Sequence, residues 1–275
     1  MSATEIASRP ARRPAGEGGD ARLVAHQLRY DLLVIARDPQ SRFFTLVLPI
    51  IFMVLLTSLF GNHTHYIGTH PVKNSTYYVP GISTLGIIAS SFVNLVITIT
   101  ALRESGILKR RRSTPVPAWV LITSRVLTSA ILSIVLVIVI VVIGRIAYGV
   151  HLPGSTLPAF VLGVVVGSAA FCCLAFALAS FIRNEDSAQP MIQAITLPLY
   201  FISGVFVPAS QLSKTLRDIA DVFPVAHLDK ALFKAFDPAT TGAGVAGTDL
   251  AVLAAWGVAG LAVALWRFSW SPRST

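Results

Sequence analysis

Charged residues are scarce in this chain, at 13% of 275 residues, against about 25% in soluble domains. The scarcity is also patterned. No Asp, Glu, Lys or Arg occurs between Arg42 and Lys73, Lys73 and Arg103, Arg125 and Arg145, Arg145 and Arg183, Asp186 and Lys214, or Asp249 and Arg267. A bilayer core needs roughly 20 apolar residues per helix. Lipid cannot solvate a bare backbone amide, so each stretch must be a helix or part of a closed barrel. The apolar runs are unbroken and do not alternate, which selects helices. Six crossings use nearly half the chain and leave no room for a separate soluble catalytic domain.

Other absences exclude other classes. The two cysteines, Cys172 and Cys173, are adjacent inside an apolar run, so a disulfide framework is excluded and both read as small buried side chains. No G-x-x-x-x-G-K-[ST] occurs, so the chain does not bind ATP through a P-loop. No ionisable residue falls at the predicted centre of a span, which argues against an ion-coupled carrier or a proton pump. Ser168 has no His or Lys at depth to activate it, which argues against intramembrane proteolysis. His63, His65 and His70 share the segment HTHYIGTH, but no nearby Cys or carboxylate completes a metal site, and a polar loop is the simpler reading. The net charge of +9 could suggest nucleic acid, but the basic residues flank apolar spans, where they act as topology signals and headgroup contacts. Membrane lipids, not nucleic acid, are the expected partners of that charge.

The expected architecture is an all-α polytopic membrane protein with six transmembrane helices, at about 43–61, 78–101, 126–145, 158–182, 188–207 and 249–267. Residues 1–20, polar and rich in Arg, Pro and Gly, read as a disordered cytoplasmic tail, and residues 21–275 as one transmembrane domain. Of 22 Lys and Arg residues, 16 fall on the side holding both termini, which predicts cytoplasmic termini.

Residues 21–37 carry a stripe of Val24, Leu28, Leu32 and Ile35, with Arg22, His26, Arg29 and Arg37 away from it. An amphipathic helix of this kind lies in the membrane interface, or else packs on cytoplasmic loops. Between spans five and six, Leu212, Leu216, Ile219 and Val222 form one stripe, with Ser210 as a possible N-cap. Val225, Leu228, Leu232 and Phe236 form another. Two short extracytoplasmic helices resting on or dipping into the outer leaflet are expected. Gly163 and Gly167 make a GxxxG in span four, which either packs on another helix or reflects the commonness of glycine in membrane helices.

Three motifs then carry a resemblance. Arg103-Glu104-Ser105-Gly106-Ile107-Leu108-Lys109-Arg110 with Ser113-Thr114-Pro115 follows span two. Leu197-Pro198-Leu199-Tyr200-Phe201-Ile202-Ser203-Gly204-Val205-Phe206-Val207-Pro208 ends span five. Phe223-Pro224-Val225-Ala226-His227 precedes a short helix. In this order and register the chain resembles the permease subunits of ABC-2-type exporters, in particular the drug- and antibiotic-export permeases. The basic run Lys109, Arg110, Arg111 and Arg112 is denser than the family pattern.

The resemblance implies a transport subunit of the bacterial cytoplasmic membrane, without catalysis or cofactor of its own, moving a hydrophobic or amphipathic substrate outward. It implies a separate ATP-binding subunit holding ATP and Mg, and pairing as a homodimer or with a second permease. It assigns ATPase coupling to the interfacial helix and to the loop of Arg103, Glu104, Ser105, Gly106, Lys109 to Arg112, Pro115 and Pro117. It assigns an extracytoplasmic gate to Gly204, Pro208, Pro224 and His227. The alternative on the residues alone is a stand-alone facilitator or scaffold.

Overall fold

The computed structural model describes residues 17–37, 39, 43, 47–60, 64–67, 70–105, 118–182, 184–206 and 212–267. The chain opens with α1 (Glu17–Arg37) and α2 (Leu48–Phe60). A short hairpin of β1 (Thr64–Ile67) and β2 (His70–Lys73) follows, with Thr64 opposite Lys73 and Ile67 opposite His70. Then α3 (Asn74–Ile88) runs through a π-helical turn, Ala89–Val93, into α4 (Asn94–Glu104). The remaining helices are α5 (Ala118–Tyr148), α6 (Leu157–Ala179), α7 (Glu185–Ile202), α8 (Lys214–Ala220), α9 (Pro224–Phe236) and α10 (Gly247–Arg267).

Among the described residues, four helices are long and apolar enough to cross a membrane: Ser75–Glu104, Ile122–Tyr148, Leu157–Ala179 and Gly247–Arg267. They correspond to the expected second, third, fourth and sixth spans. In place of the first stands α2, apolar but only 13 residues long, about 20 Å of helix. In place of the fifth stands α7, with 18 residues, an acidic first turn at Glu185 and Asp186, and internal Pro190 and Pro198.

Two further differences are local. The first helix begins at Glu17, within the segment expected to be disordered. The expected cap Ser210 lies outside the described residues, and Ser213 caps α8 instead, accepting from the Leu216 amide at 3.4 Å.

The α3–α4 rod is the buried axis. Val79, Ile82, Ile87, Ile88 and Val96 have essentially no exposure. Large apolar side chains on the outer helices face outward instead, among them Ile146 at 80%, Val258 at 67% and Leu265 at 79% exposed. Water would penalise such a surface, whereas lipid does not, so this is a bundle built for a bilayer.

Hydroxyls tie the rod to α5 where the π-turn breaks the regular ladder. Ser133 Oγ lies 2.6 Å from Ser90 Oγ and 2.8 Å from Ser91 Oγ, and donates to Ser129 O at 2.9 Å. Polar bridges of this kind join helices where apolar surface gives no preference for protein over lipid.

The GxxxG of α6 does pack on a helix. A Cβ on Gly167 would lie 2.5 Å from Leu228 Cδ1, and one on Gly163 would lie 3.0 Å from Leu232 Cδ2. Both leucines belong to α9. α6 and α10 also approach through glycines, where Gly257 meets Ala170 and Gly260 meets the backbone of Cys173 and Leu174.

Candidate functional site

Polar groups gather at the two ends of the bundle, and each end is organised by side chains that the fold buries. At the first end, α1 lies along α5. Asp31 is 2% exposed. Its carboxylate accepts from Gln27 Nε2 at 2.8 Å and from Ser124 Oγ at 3.3 Å, and pairs with Arg125 Nη2 at 3.3 Å. Val24, Leu28 and Leu32 are half-buried, and Arg22, His26, Arg29 and Arg37 are exposed, while the side chain of Ile35 lies outside the described residues. Tyr30 and Val34 are exposed on a further, apolar face.

The α4 end lies in the same region. Arg103 is 1% exposed. It donates through Nη1 to Ala179 O at 2.9 Å and through Nη2 to Ile182 O. Its guanidinium is therefore turned into the protein, not out toward a partner. Glu104 is exposed, and its Oε2 accepts from the Glu185 amide. Ser105 is exposed and donates to Leu102 O at 3.3 Å. Gly106, Lys109, Arg110, Arg111, Arg112, Pro115 and Pro117 lie outside the described residues.

The other end is centred on α9. The stripe in residues 225–236 predicts a helix resting on or dipping into a leaflet, and the structure inserts it among other helices. Leu228, Asp229, Ala231, Leu232, Ala235 and Phe236 are all buried, because α9 is wedged among α3, α6 and α10. Leu228 meets Gly167, ten residues along α6 from Leu157, about 15 Å of helix. Pro224 at the first position presets the helical φ and has no amide to leave orphaned. By contrast α8 is exposed over most of its length.

Every side of the wedge is tied. The His227 ring meets Asp249 Oδ1 through Nδ1 at 2.7 Å and Asp221 O through Nε2 at 2.8 Å. Lys230 pairs with the Asp221 carboxylate. Trp256 Nε1 donates to Val222 O at 2.9 Å and stacks on Phe223. Thr156 Oγ1 donates to Ala235 O at 2.6 Å.

Gly204 sits beside the wedge with φ of 97°, a left-handed conformation that disfavours any side chain. Its carbonyl accepts from Tyr77 OH. The structure thus brings Gly204, Pro224 and His227 to one region, while Pro208 lies outside the described residues.

Sequence reasoning missed Asp31 and Asp229. The signal was present in both cases: each is an acid inside an apolar helical stripe, three or four residues from Leu28 and Val225 respectively. Asp229 is 7% exposed, and a Cβ on Gly81 or Gly204 would approach its carboxylate at 3.5 and 3.3 Å.

Burial pushes the Asp229 carboxyl from 3.8 up to about 7, against the opposing pull of Lys230. An acid with a raised folded pKa keeps its proton in the fold after the unfolded chain has lost it. The fold therefore loses stability as pH rises from 3.8 to about 7 and carries the full cost above that. Asp229→Asn removes that slope. Its thermal midpoint in detergent should gain on wild type between about pH 5 and about pH 8. A difference that does not change with pH would refute this.

No cluster of three metal-ligating side chains occurs among the described residues. A lipid-facing helical bundle with polar joints at both ends and apolar spans between them is a multi-pass membrane protein. Residues 62–266 match the family model of the ABC-2 family transporter proteins, and the chain belongs to that family. It is an ABC-2-type permease, the membrane component of an ABC transporter, and is not itself catalytic. The family implies an ABC ATP-binding partner. No curated protein matches the chain.

Proposed function

We propose that the chain is the permease of an ATP-driven exporter that moves a hydrophobic or amphipathic substrate out across the bacterial cytoplasmic membrane. Family membership over residues 62–266 is the observation that carries this reading. The physical support is the energy supply. The interiors of the four apolar spans hold no Asp, Glu, Lys or Arg, and the buried acid Asp229 stands on α9 outside them, which favours a partner over an ion gradient as the source of work.

In this reading α2 and α7 are the first and fifth of six crossings, and both termini are cytoplasmic. A second permease, identical or not, completes the path. The interfacial α1 and the loop between Glu104 and Ala118 meet the ATP-binding subunit, while α9 and the Gly204 turn close the outer end. ATP and Mg reside on the partner. The basic run Lys109 to Arg112 offers charge-assisted hydrogen bonds to carboxylates there.

The test is capture. The tagged chain, purified mildly from its native membrane, should bring an ATP-binding subunit in stoichiometric amount. Deleting residues 106–112 should reduce that capture at least tenfold, with membrane insertion unchanged. Substrate flux in liposomes holding this chain alone, with no ATPase captured in any mild detergent, would replace this reading with a stand-alone facilitator.

A further inference from the structure

Arg103 and Glu104 are consecutive residues of opposite charge in the last turn of α4, and they reach the two sides of one turn. That turn joins the end of α6, at Ala179, to the start of α7, at Glu185. The last carbonyls of a helix and its first amides lack intrahelical partners. The carbonyl end attracts cations and the amide end attracts anions. Arg103 supplies the cation, with one guanidinium nitrogen on Ala179 O and the other on Ile182 O. Glu104 supplies the anion, on the Glu185 amide. Asn184, at the N-cap position, makes no side-chain cap of its own. Successive helical residues point about 100° apart, so neighbouring positions can serve the two ends at once.

We propose that Arg103 and Glu104 form an internal latch that locks the α6–α7 turn to the end of α4, so that displacement of α4 carries α6 and α7 with it. The latch makes both residues positioning residues, not docking residues. Its role in transport rests on the exporter reading, while the latch itself does not. It extends the action of a partner pressing on the α4 end to two further helices with no contact of their own. The chemistry also sets which substitutions matter. Glu185 and Asp186 crowd the same helix end with like charge, so Glu104→Gln keeps the accepting oxygen without the repulsion and preserves the latch. Glu104→Ala removes the acceptor. Arg103→Lys has one compact ammonium and cannot hold two carbonyls in a fixed fork.

Two measurements test it on the full chain. In lipid nanodiscs without any partner, hydrogen exchange of the Glu185 amide should rise at least tenfold in Glu104→Ala. In Glu104→Gln it should stay within twofold of wild type. Arg103→Lys should raise exchange across residues 180–182. Unchanged exchange in Glu104→Ala overturns the latch. The second measurement uses the complex with its co-purified ATP-binding subunit. Spin labels at the ends of α4 and α7 should keep a constant separation when ATP binds to wild type, and should separate in Glu104→Ala. Capture of the ATPase should be unchanged by Glu104→Ala. A wild-type separation that changes on ATP binding, or loss of capture in Glu104→Ala, would sink the proposal. If wild type captures no ATPase, the exporter reading fails, and the exchange result still decides the latch.

Discussion

Gly260→Leu should leave no stably folded protein. A Cβ on Gly260 would lie 3.0 Å from Leu174 N and 3.1 Å from the Cys173 carbonyl carbon. These are backbone atoms of α6, which no rotamer change can move aside. Accommodating a leucine therefore means separating α10 from α6 along their most extensive contact. Overpacking of this kind costs about 3 kcal/mol or more, a large part of the whole stability of a domain. Size-exclusion profiles in detergent should show aggregate where wild type gives one peak.

Gly167→Ala is the informative contrast. Its Cβ would meet Leu228 Cδ1 at 2.5 Å, the far end of a flexible side chain that can turn. The expected cost there is about 1 kcal/mol. Equal behaviour of the two variants would show that α6 and α10 do not pack as described.

The second large effect is expected at Asp31. Its carboxylate is buried and holds α1 to α5 through Arg125 and Ser124. Asp31→Ala leaves the Arg125 guanidinium facing an emptied pocket, and breaking a buried pair from one side costs about 3 kcal/mol. Arg125 remains partly exposed, with a side chain 20% accessible, so solvent relieves part of that cost. The variant should release α1 first. Limited proteolysis between α1 and α2 should speed up at least tenfold before the remaining helices lose their thermal transition. The double variant Asp31→Leu with Arg125→Met should recover much of the loss, because it leaves no charge unmatched. A double variant as damaged as the sum of its parts would mean that the pair is not the joint.

The two missed acids show where sequence reading stops. Asp31 and Asp229 both interrupt apolar stripes, and the stripe itself is legible from spacing alone. What the acid does there is not, because its partner lies 94 residues away for Asp31 and Arg125. Arg103 is a related case. Its position in the motif suggests an outward contact, while the carbonyls that it reaches, at the end of α6 and just beyond it, are 76 and 79 residues further along the chain. The wedge helix α9 differs again. Its apolar stripe reads as one buried face, yet the glycines of α6 leave a groove that takes in the rest of the helix.

The sequence by itself determined the class: apolar rods of membrane length with charges confined to their ends. It also placed the Glu104 loop and the Gly204 turn at the ends of rods. Only the tertiary structure decided which faces of the rods meet protein, that α9 is inserted between helices, and that Arg103 and Asp31 turn inward. The reason lies in the solvent. In water, an apolar stripe identifies the side that must be buried, because exposure is penalised. In a bilayer, lipid and protein interiors are equally apolar, so hydropathy cannot tell them apart. Close approach at glycines and pairing of distant polar groups make that choice, and both depend on parts of the chain far apart in sequence.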